Sequence, residues 1–301
     1  IALTRVGQDI LVSHVDPIVG AVKDIGWLAV HVASNDVATS GALPRWILLL
    51  VLVPSKNDVA LLEKIMQDAS KAANEIGATV IGGHTGYTAN LSRPLVAVTA
   101  LGVLSKKDPI RTKGAEIGDH VFLTKGVGLE GTAILANDFS QTAIRLGLSV
   151  EELHEASQLL KEVSIIPEAL ISAENGATAM HDVTRGGLLE TLLEVAKLAD
   201  LGIIINSQRI PIRPVVSRFA KAFDFDPLKM ISSGSLVATV PPAAIDVVSE
   251  KLREKGIIFA DIGMVSEGKG VKISQAGKQV WHQDIHCEDD ELATIWERYV
   301  D

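Results

Sequence analysis

The sequence predicts an α+β protein built as two domains, and three observations carry that expectation. Stretches with apolar residues at helical spacing are mixed with short apolar runs of strand length. A polar segment at 105–118, SKKDPIRTKGAEIG, carries a proline and two glycines and separates two such sets. The chain has 301 residues and is 47% hydrophobic, enough to fill a core in each set. The segment is taken as a linker, with domains at 1–110 and 111–301.

The organising stretch is Asp24 to Pro54, DIGWLAVHVASNDVATSGALPRWILLLVLVP. Ile25, Leu28, Ala29, Val32 and Ala33 recur at helical spacing and predict a buried helix. Trp46 to Val53 is an unbroken apolar run bounded by prolines, which predicts a strand covered on both faces. Between them Asn35-Asp36 stands where the pattern asks for apolar residues. A carboxylate there costs several kcal/mol unless a metal, a cation or hydrogen-bond donors meet it. The plainer account of one such Asp is a helix cap or a satisfied core group. Further polar knots of the same kind tilt the reading toward function.

Composition narrows the partners. A net charge of −9 and a pI near 5.4 argue against nucleic acid and anionic membranes. The single cysteine, Cys287, excludes an internal disulfide and fits a reducing compartment. The longest apolar run is far short of the roughly 20 residues that span a bilayer, and no signal peptide is visible. A cytoplasmic, soluble protein is expected. The chain opens at Ile1 and not at methionine, so an upstream segment is expected.

Taken in order, Ile10, Leu11, Val12 and Val15 predict a strand ending at Asp16-Pro17, a pair that is more often just a turn. A helix starts at Asn57 or Asp58, buries Leu61, Leu62, Ile65, Met66, Ala69, Ala72, Ala73 and Ile76, and stops at Gly77. Then follow a strand, the loop Gly82-Gly83-His84-Thr85-Gly86, and a strand from Leu95 to Leu104. Glycines let backbone N–H groups approach an anion, and the Thr85 hydroxyl can donate to a phosphate. The loop lacks P-loop and dinucleotide spacing, so a tight turn is the rival reading.

In the second domain Asp119 to Lys125 is a strand, and Gly126-Val127-Gly128 leads into a helix over Leu129 to Leu135. That arrangement offers either a phosphate site or a simple turn. The amphipathic stretch 150–163 and a helix from Pro167 to Glu174 come next. His181-Asp182-Val183-Thr184-Arg185-Gly186-Gly187 precedes a strong helix with Leu188, Leu189, Leu192, Leu193 and Ala196 inward. Asp182 can hold a cation, while Thr184, Arg185 and the N–H groups of the helix start can hold phosphate oxygens. Asp or Thr before a helix is also the usual cap. Strands at Gly202–Asn206, Leu236–Val240, 257–264 and 270–274 and a helix at Ala243–Lys255 complete the pattern. His282, His286 and Cys287 are possible metal ligands, one short of the four a structural zinc takes.

With these segments laid out, the chain resembles the AIR-synthase-like (PurM-like) ATP-binding superfamily, and within it the hydrogenase-maturation HypE branch. DIGWLAVHVASNDVATSGALP resembles the family's helix with its Asn-Asp-x-Ala core, and Gly-Gly-His-Thr sits where the family has Gly-Gly-acid-Thr. MHDVTRGGLLETLLEVA resembles the Asp-Pro-Thr-Arg-Gly-Gly segment, and IPIRPVV, FDPLKMISSGSLVATVPP and IGMV fall in the family's order. The resemblance implies an N-terminal domain whose strands join a second subunit's in a central barrel, hence a homodimer, followed by a C-terminal α+β domain. It implies ATP and Mg²⁺ in a cleft between the domains, and activation of an amide-type or carbonyl oxygen by phosphoryl transfer. By the same resemblance Asp16, Asp36 and Asp182 would hold magnesium. Gly82, Gly83, Thr85, Thr184, Arg185, Gly186 and Gly187 would contact phosphates, with Asp36 and His84 as catalytic candidates.

Three departures accompany it. The family's Gly-(Asp/Glu)-Asp-Ala segment is not in the sequence, His84 replaces an acidic residue, and the chain ends Glu297-Arg298-Tyr299-Val300-Asp301 without the family's terminal cysteine. Three functions stay open: an ATP- and magnesium-dependent enzyme with an unidentified small-molecule or protein-borne acceptor, a HypE-type carbamoyl dehydratase, and a non-catalytic nucleotide-binding or assembly protein.

Overall fold

The chain opens as an antiparallel ladder, β1 (Ala2–Val6) with β2 (Asp9–Ile18). The structure is a computed structural model that describes residues 1–18, 23–105, 108–275, 278–284 and 290–299. Helix α1 (Ile25–Thr39) follows, then β3 (Pro44–Val53), α2 (Val59–Glu75), β4 (Thr79–Tyr87) and β5 (Leu95–Ser105). These elements make one compact unit, Ile1–Pro109, with a five-stranded sheet in the order β1-β2-β5-β3-β4. β3 and β4 are parallel and the other pairs antiparallel.

The helices cover one face of this sheet. Ile25, Ala29, Val30, Ala33 and Val37 of α1 and Ile65, Ala69 and Ala72 of α2 pack with Ile47, Leu49, Val51, Val96, Val98 and Ala100. Each large aliphatic side chain so buried contributes about 1.5–3 kcal/mol. Among the described residues of this unit no helix lies on the opposite face, where Trp46, Leu48 and Leu50 are 37%, 38% and 36% exposed. Within the single chain β3 is thus covered on one face, and its side chains alternate inward and outward along its length.

Three further local expectations change. α1 does not end before Asn35-Asp36 but carries both to Thr39, with Asn35 fully buried. Asp16-Pro17 is not a turn, because β2 runs on to Ile18 in unbroken register with β5. The glycine-rich stretch 82–86 is not a loop but the body of edge strand β4, paired with Leu48 to Leu52. Gly83 has φ +150, and a Cβ there would lie 1.9 Å from the Leu49 carbonyl oxygen, so the close strand approach itself requires glycine.

The second compact unit, Ile110–Asp301, is built on a seven-stranded sheet. Its elements are β6 (His120–Thr124), α3 (Leu129–Asp138), α4 (Ser140–Arg145), α5 (Val150–Gln158) and α6 (Ile166–Glu174). There follow β7 (Ala179–Asp182), α7 (Gly187–Ala199), β8 (Gly202–Asn206), α8 (Pro214–Phe223), β9 (Leu236–Val240) and α9 (Ile245–Glu254). β10 (Phe259–Ser266), β11 (Gly270–Gln275), β12 (Lys278–His282) and α10 (Glu291–Tyr299) complete it. The strand order is β12-β11-β8-β10-β6-β9-β7, which puts β7 and its terminal Asp182 at one edge. Leu188, Leu192, Val195 and Ala196 of α7 pack on Val121, Leu123, Ile203, Ile205 and Val237. No helix among the described residues is long and apolar enough to cross a membrane.

Candidate functional site

In the first unit, β2 and α1 bring His14, Asp16 and Asp36 together. One ligand atom from each lies within 4.8 Å of the others. His14 and Asp16 are two residues apart on one strand, so both project to the sheet face that α1 covers. Asp36 reaches them from the fourth turn of α1, with Oδ2 3.4 Å from His14 Nε2. The three groups are half-buried.

Gly82, Gly83, His84 and Thr85 are all exposed on β4. His84 pairs with the outward-facing Leu50, and the Gly86 Cβ position points toward both the Leu52 side chain and the His84 ring. Strand alternation therefore puts His84 on the helix-free face, away from His14, Asp16 and Asp36. It does not join that cluster. Gly83 and Thr85 alternate to the other side, in register with Leu49 and Val51.

In the second unit, Asp182 ends β7 and is 2% exposed. Its Oδ2 is buried with no hydrogen-bond partner among the described residues. A buried carboxylate oxygen without a donor is costly. His181 buttresses it: Nε2 lies 2.7 Å from Glu194 Oε2, and Nδ1 lies 2.7 Å from the Asp182 carbonyl and 3.4 Å from Asp182 Oδ1. Burial works against the imidazolium, but the bonds to Asp182 and Glu194 outweigh it and raise the His181 pKa to about 10.

Thr184 and Arg185 lie in the turn between β7 and α7, and Gly186 and Gly187 open the helix with φ +73 and +66. A Cβ at Gly187 would meet the Leu228 carbonyl at 2.5 Å. The helix start is less open than the sequence suggests. The Gly187 N–H is given to the Thr184 carbonyl and the Leu189 N–H to the Leu228 carbonyl, both at 3.0 Å. The Arg185 side chain, 69% exposed, reaches Asp290 Oδ2 at 3.3 Å.

The Gly126-Val127-Gly128 turn resolves toward its simpler reading. The Leu129 N–H donates to Ser232 Oγ, the Gly131 N–H to the Ile231 carbonyl, and Glu130 Oε2 accepts from the Ser233 N–H. Those contacts seal the start of α3 with protein groups. Of the three suggested zinc ligands, His282 ends β12, while His286 and Cys287 lie outside the described residues. His14 is the site residue that the sequence pattern had not singled out. Its signal was the His-x-Asp spacing of a strand with one buried face.

Comparison with known proteins places the fold. The family description "AIR synthase related protein, N-terminal domain" matches residues 2–104, and its C-terminal domain matches 116–275. The chain belongs to the AIR synthase related protein family. Carbamoyl dehydratase HypE of Azotobacter vinelandii is 30% identical over 245 residues, covering 80% of this chain and 69% of that protein. The crystal structure of E. coli HypE, a hydrogenase maturation protein, superposes with a TM-score of 0.78 at 23% identity, over 92% of this chain and 86% of that one. A structure of hydrogenase maturation protein HypE in complex with ATP has a TM-score of 0.73 at 23% identity, over 95% of this chain and 88% of that one. The α+β architecture in two units is that of the PurM-like HypE structures.

Proposed function

We propose that this protein is an ATP-dependent enzyme that activates an amide- or carbonyl-type oxygen by phosphoryl transfer. The observation that carries the proposal is the convergence of His14, Asp16 and Asp36 in the first unit. Carboxylate oxygens are the donors a hard cation such as Mg²⁺ takes, so Asp16 and Asp36 fit it. Asp182, with one buried oxygen lacking a partner, fits the same chemistry in the second unit. Bound there, the ion supplies neutralisation of phosphate charge. Thr184 donates a hydroxyl to phosphate oxygens, and Arg185 offers a charged fork to them. Gly186 and Gly187 let the backbone turn without side chains in the way.

The acceptor that best fits the relatives is a protein-borne carbamoyl group, since a protein 30% identical is named carbamoyl dehydratase HypE. The protein is also a homodimer in this reading. The exposed Val15, Trp46, Leu48 and Leu50 give the helix-free sheet face an apolar patch suited to a second copy.

Calorimetric titration with a non-hydrolysable ATP analogue, with and without Mg²⁺, tests the core of the proposal. Binding that requires Mg²⁺ and falls with Asp36→Ala supports it; no binding, or binding indifferent to Asp36→Ala, ends it. Mass spectrometry after incubation with ATP and a carbamoyl-bearing donor protein tests the acceptor. Dehydration of the carbamoyl group supports that assignment, and an unchanged group removes it.

A further inference from the structure

We propose that His14 is a third metal ligand, so that the His14–Asp16–Asp36 site prefers a first-row transition cation such as Mn²⁺ to Mg²⁺. The inference rests on the cation reading of that site and adds the identity of the ion. Donor atoms bound to one ion at about 2.1 Å lie within about 4.2 Å of each other. The three ligand atoms here are already within 4.8 Å, so small side-chain rotations close the shell. The strand carrying them is held in register by β5, where His14 faces Ala100 and Asp16 faces Val98, while β1 pairs with β2 up to Ser13. Asp36 is fixed by α1, whose surrounding residues are buried against that sheet.

The chemistry of the set decides the metal. Mg²⁺ takes oxygen donors and holds its water tightly, so an imidazole gains it little. First-row transition ions accept imidazole nitrogen readily, and affinity rises along the series from manganese to copper. Two carboxylates and one imidazole thus form a mixed nitrogen–oxygen site. The competing account is an ordinary ion pair between a protonated His14 and Asp36, at 3.4 Å. It predicts no bond from His14 to any metal.

The test uses Mn²⁺ as the probe on the full chain. Pulsed electron paramagnetic resonance reads ¹⁴N coupling to bound Mn²⁺, and competition titration gives Mn²⁺ and Mg²⁺ affinities. The expected result is a ¹⁴N coupling that disappears in His14→Gln, with Mn²⁺ affinity reduced at least about tenfold and Mg²⁺ affinity changed much less. His14→Asp, which restores an oxygen donor, should bind both ions without the ¹⁴N signal and with the preference for Mn²⁺ reduced. Mn²⁺ that binds in an Asp36-dependent manner with no His14-dependent nitrogen coupling overturns the inference and leaves the magnesium reading standing. Mn²⁺ binding that Asp36→Asn does not weaken overturns both.

Discussion

The ammonium of Lys125 lies 2.6 Å from Oε1 of Glu168, a carboxylate that is 1% exposed. The same ammonium donates to the carbonyls of Glu162 at 2.9 Å and Ser164 at 2.6 Å. Burial pushes the Glu168 carboxyl above its usual range, and Lys125 offsets this only in part. One cation thus ties the end of β6 to the segment entering α6, just before the turn that opens α3.

Lys125→Met strands Glu168 in the interior without its cation. The expected loss is about 3–5 kcal/mol, read as a lower urea midpoint. The double substitution Lys125→Met with Glu168→Met should recover most of that loss, since paired apolar replacements of buried ions are often neutral. A single substitution costing under about 1 kcal/mol would place the pair with weak surface ion pairs.

Gly83→Ala should destabilise the first unit by steric collision. Gly7→Ala, with φ +63 and no atom within 4 Å of the added Cβ, costs only the strain of an ordinary left-handed residue, about 1–2 kcal/mol, and Gly83→Ala at φ +150 should cost more. Gly83→Ala adds overpacking against Leu49 of about 1–3 kcal/mol more. Chemical denaturation of the two variants side by side gives the difference.

Leu50→Glu places a charge at the centre of the helix-free sheet face. Leu50 is 36% exposed in the single chain, so the variant should still fold, with a thermal midpoint lowered chiefly by loss of the partner. Gel filtration should show the wild type near twice its 32.0 kDa and the variant near that mass itself. A wild-type peak at the single-chain mass would refute association through this face.

Glu75 joins the two helices of the first unit, accepting from Trp27 Nε1 at 2.7 Å and lying 3.2 Å from His31 Nε2. Burial acts to raise its pKa, but the bonds from Trp27 and His31 prevail and hold the carboxyl below its ordinary value of 4.5. A carboxyl depressed on folding stabilises above the unfolded pKa and loses that stabilisation as pH falls through the folded one. The gap in melting temperature between wild type and Glu75→Gln should be full above about pH 5 and close progressively in more acidic buffer. A gap constant with pH would assign it to packing.

Much of the first unit was legible because its signals are local. The helical period of α1 and α2 and the stop at Gly77 read directly from spacing. The strand identity of Gly82–Gly86 was not legible, because glycine has no β preference of its own and only pairing with Leu48 to Leu52 makes it a strand. α8 was passed over behind the prolines of IPIRPVV, although Pro214 suits a first helical turn and Val215, Val216, Phe219, Ala220 and Phe223 carry the period. At the site, Asp16 and Asp36 stood out as carboxylates in apolar surroundings. His14 did not, since its meaning depends on α1 crossing the same face of β2. The helix starts at α3 and α7 looked alike in sequence; contacts from residues 231–233 close the first.

The outer strand of the first sheet, β4, has a further consequence for how the chain must be made. Thr79 to Tyr87 contains no lysine, arginine, aspartate, glutamate or proline, the residues that usually guard a free sheet margin. Until that margin and the apolar face beside it find their proper cover, a newly synthesised chain presents a sticky template to any neighbour. Yield of the protein should therefore depend on dilution and speed of pairing during expression, with crowded refolding giving fibrous or amorphous precipitate in place of the native protein.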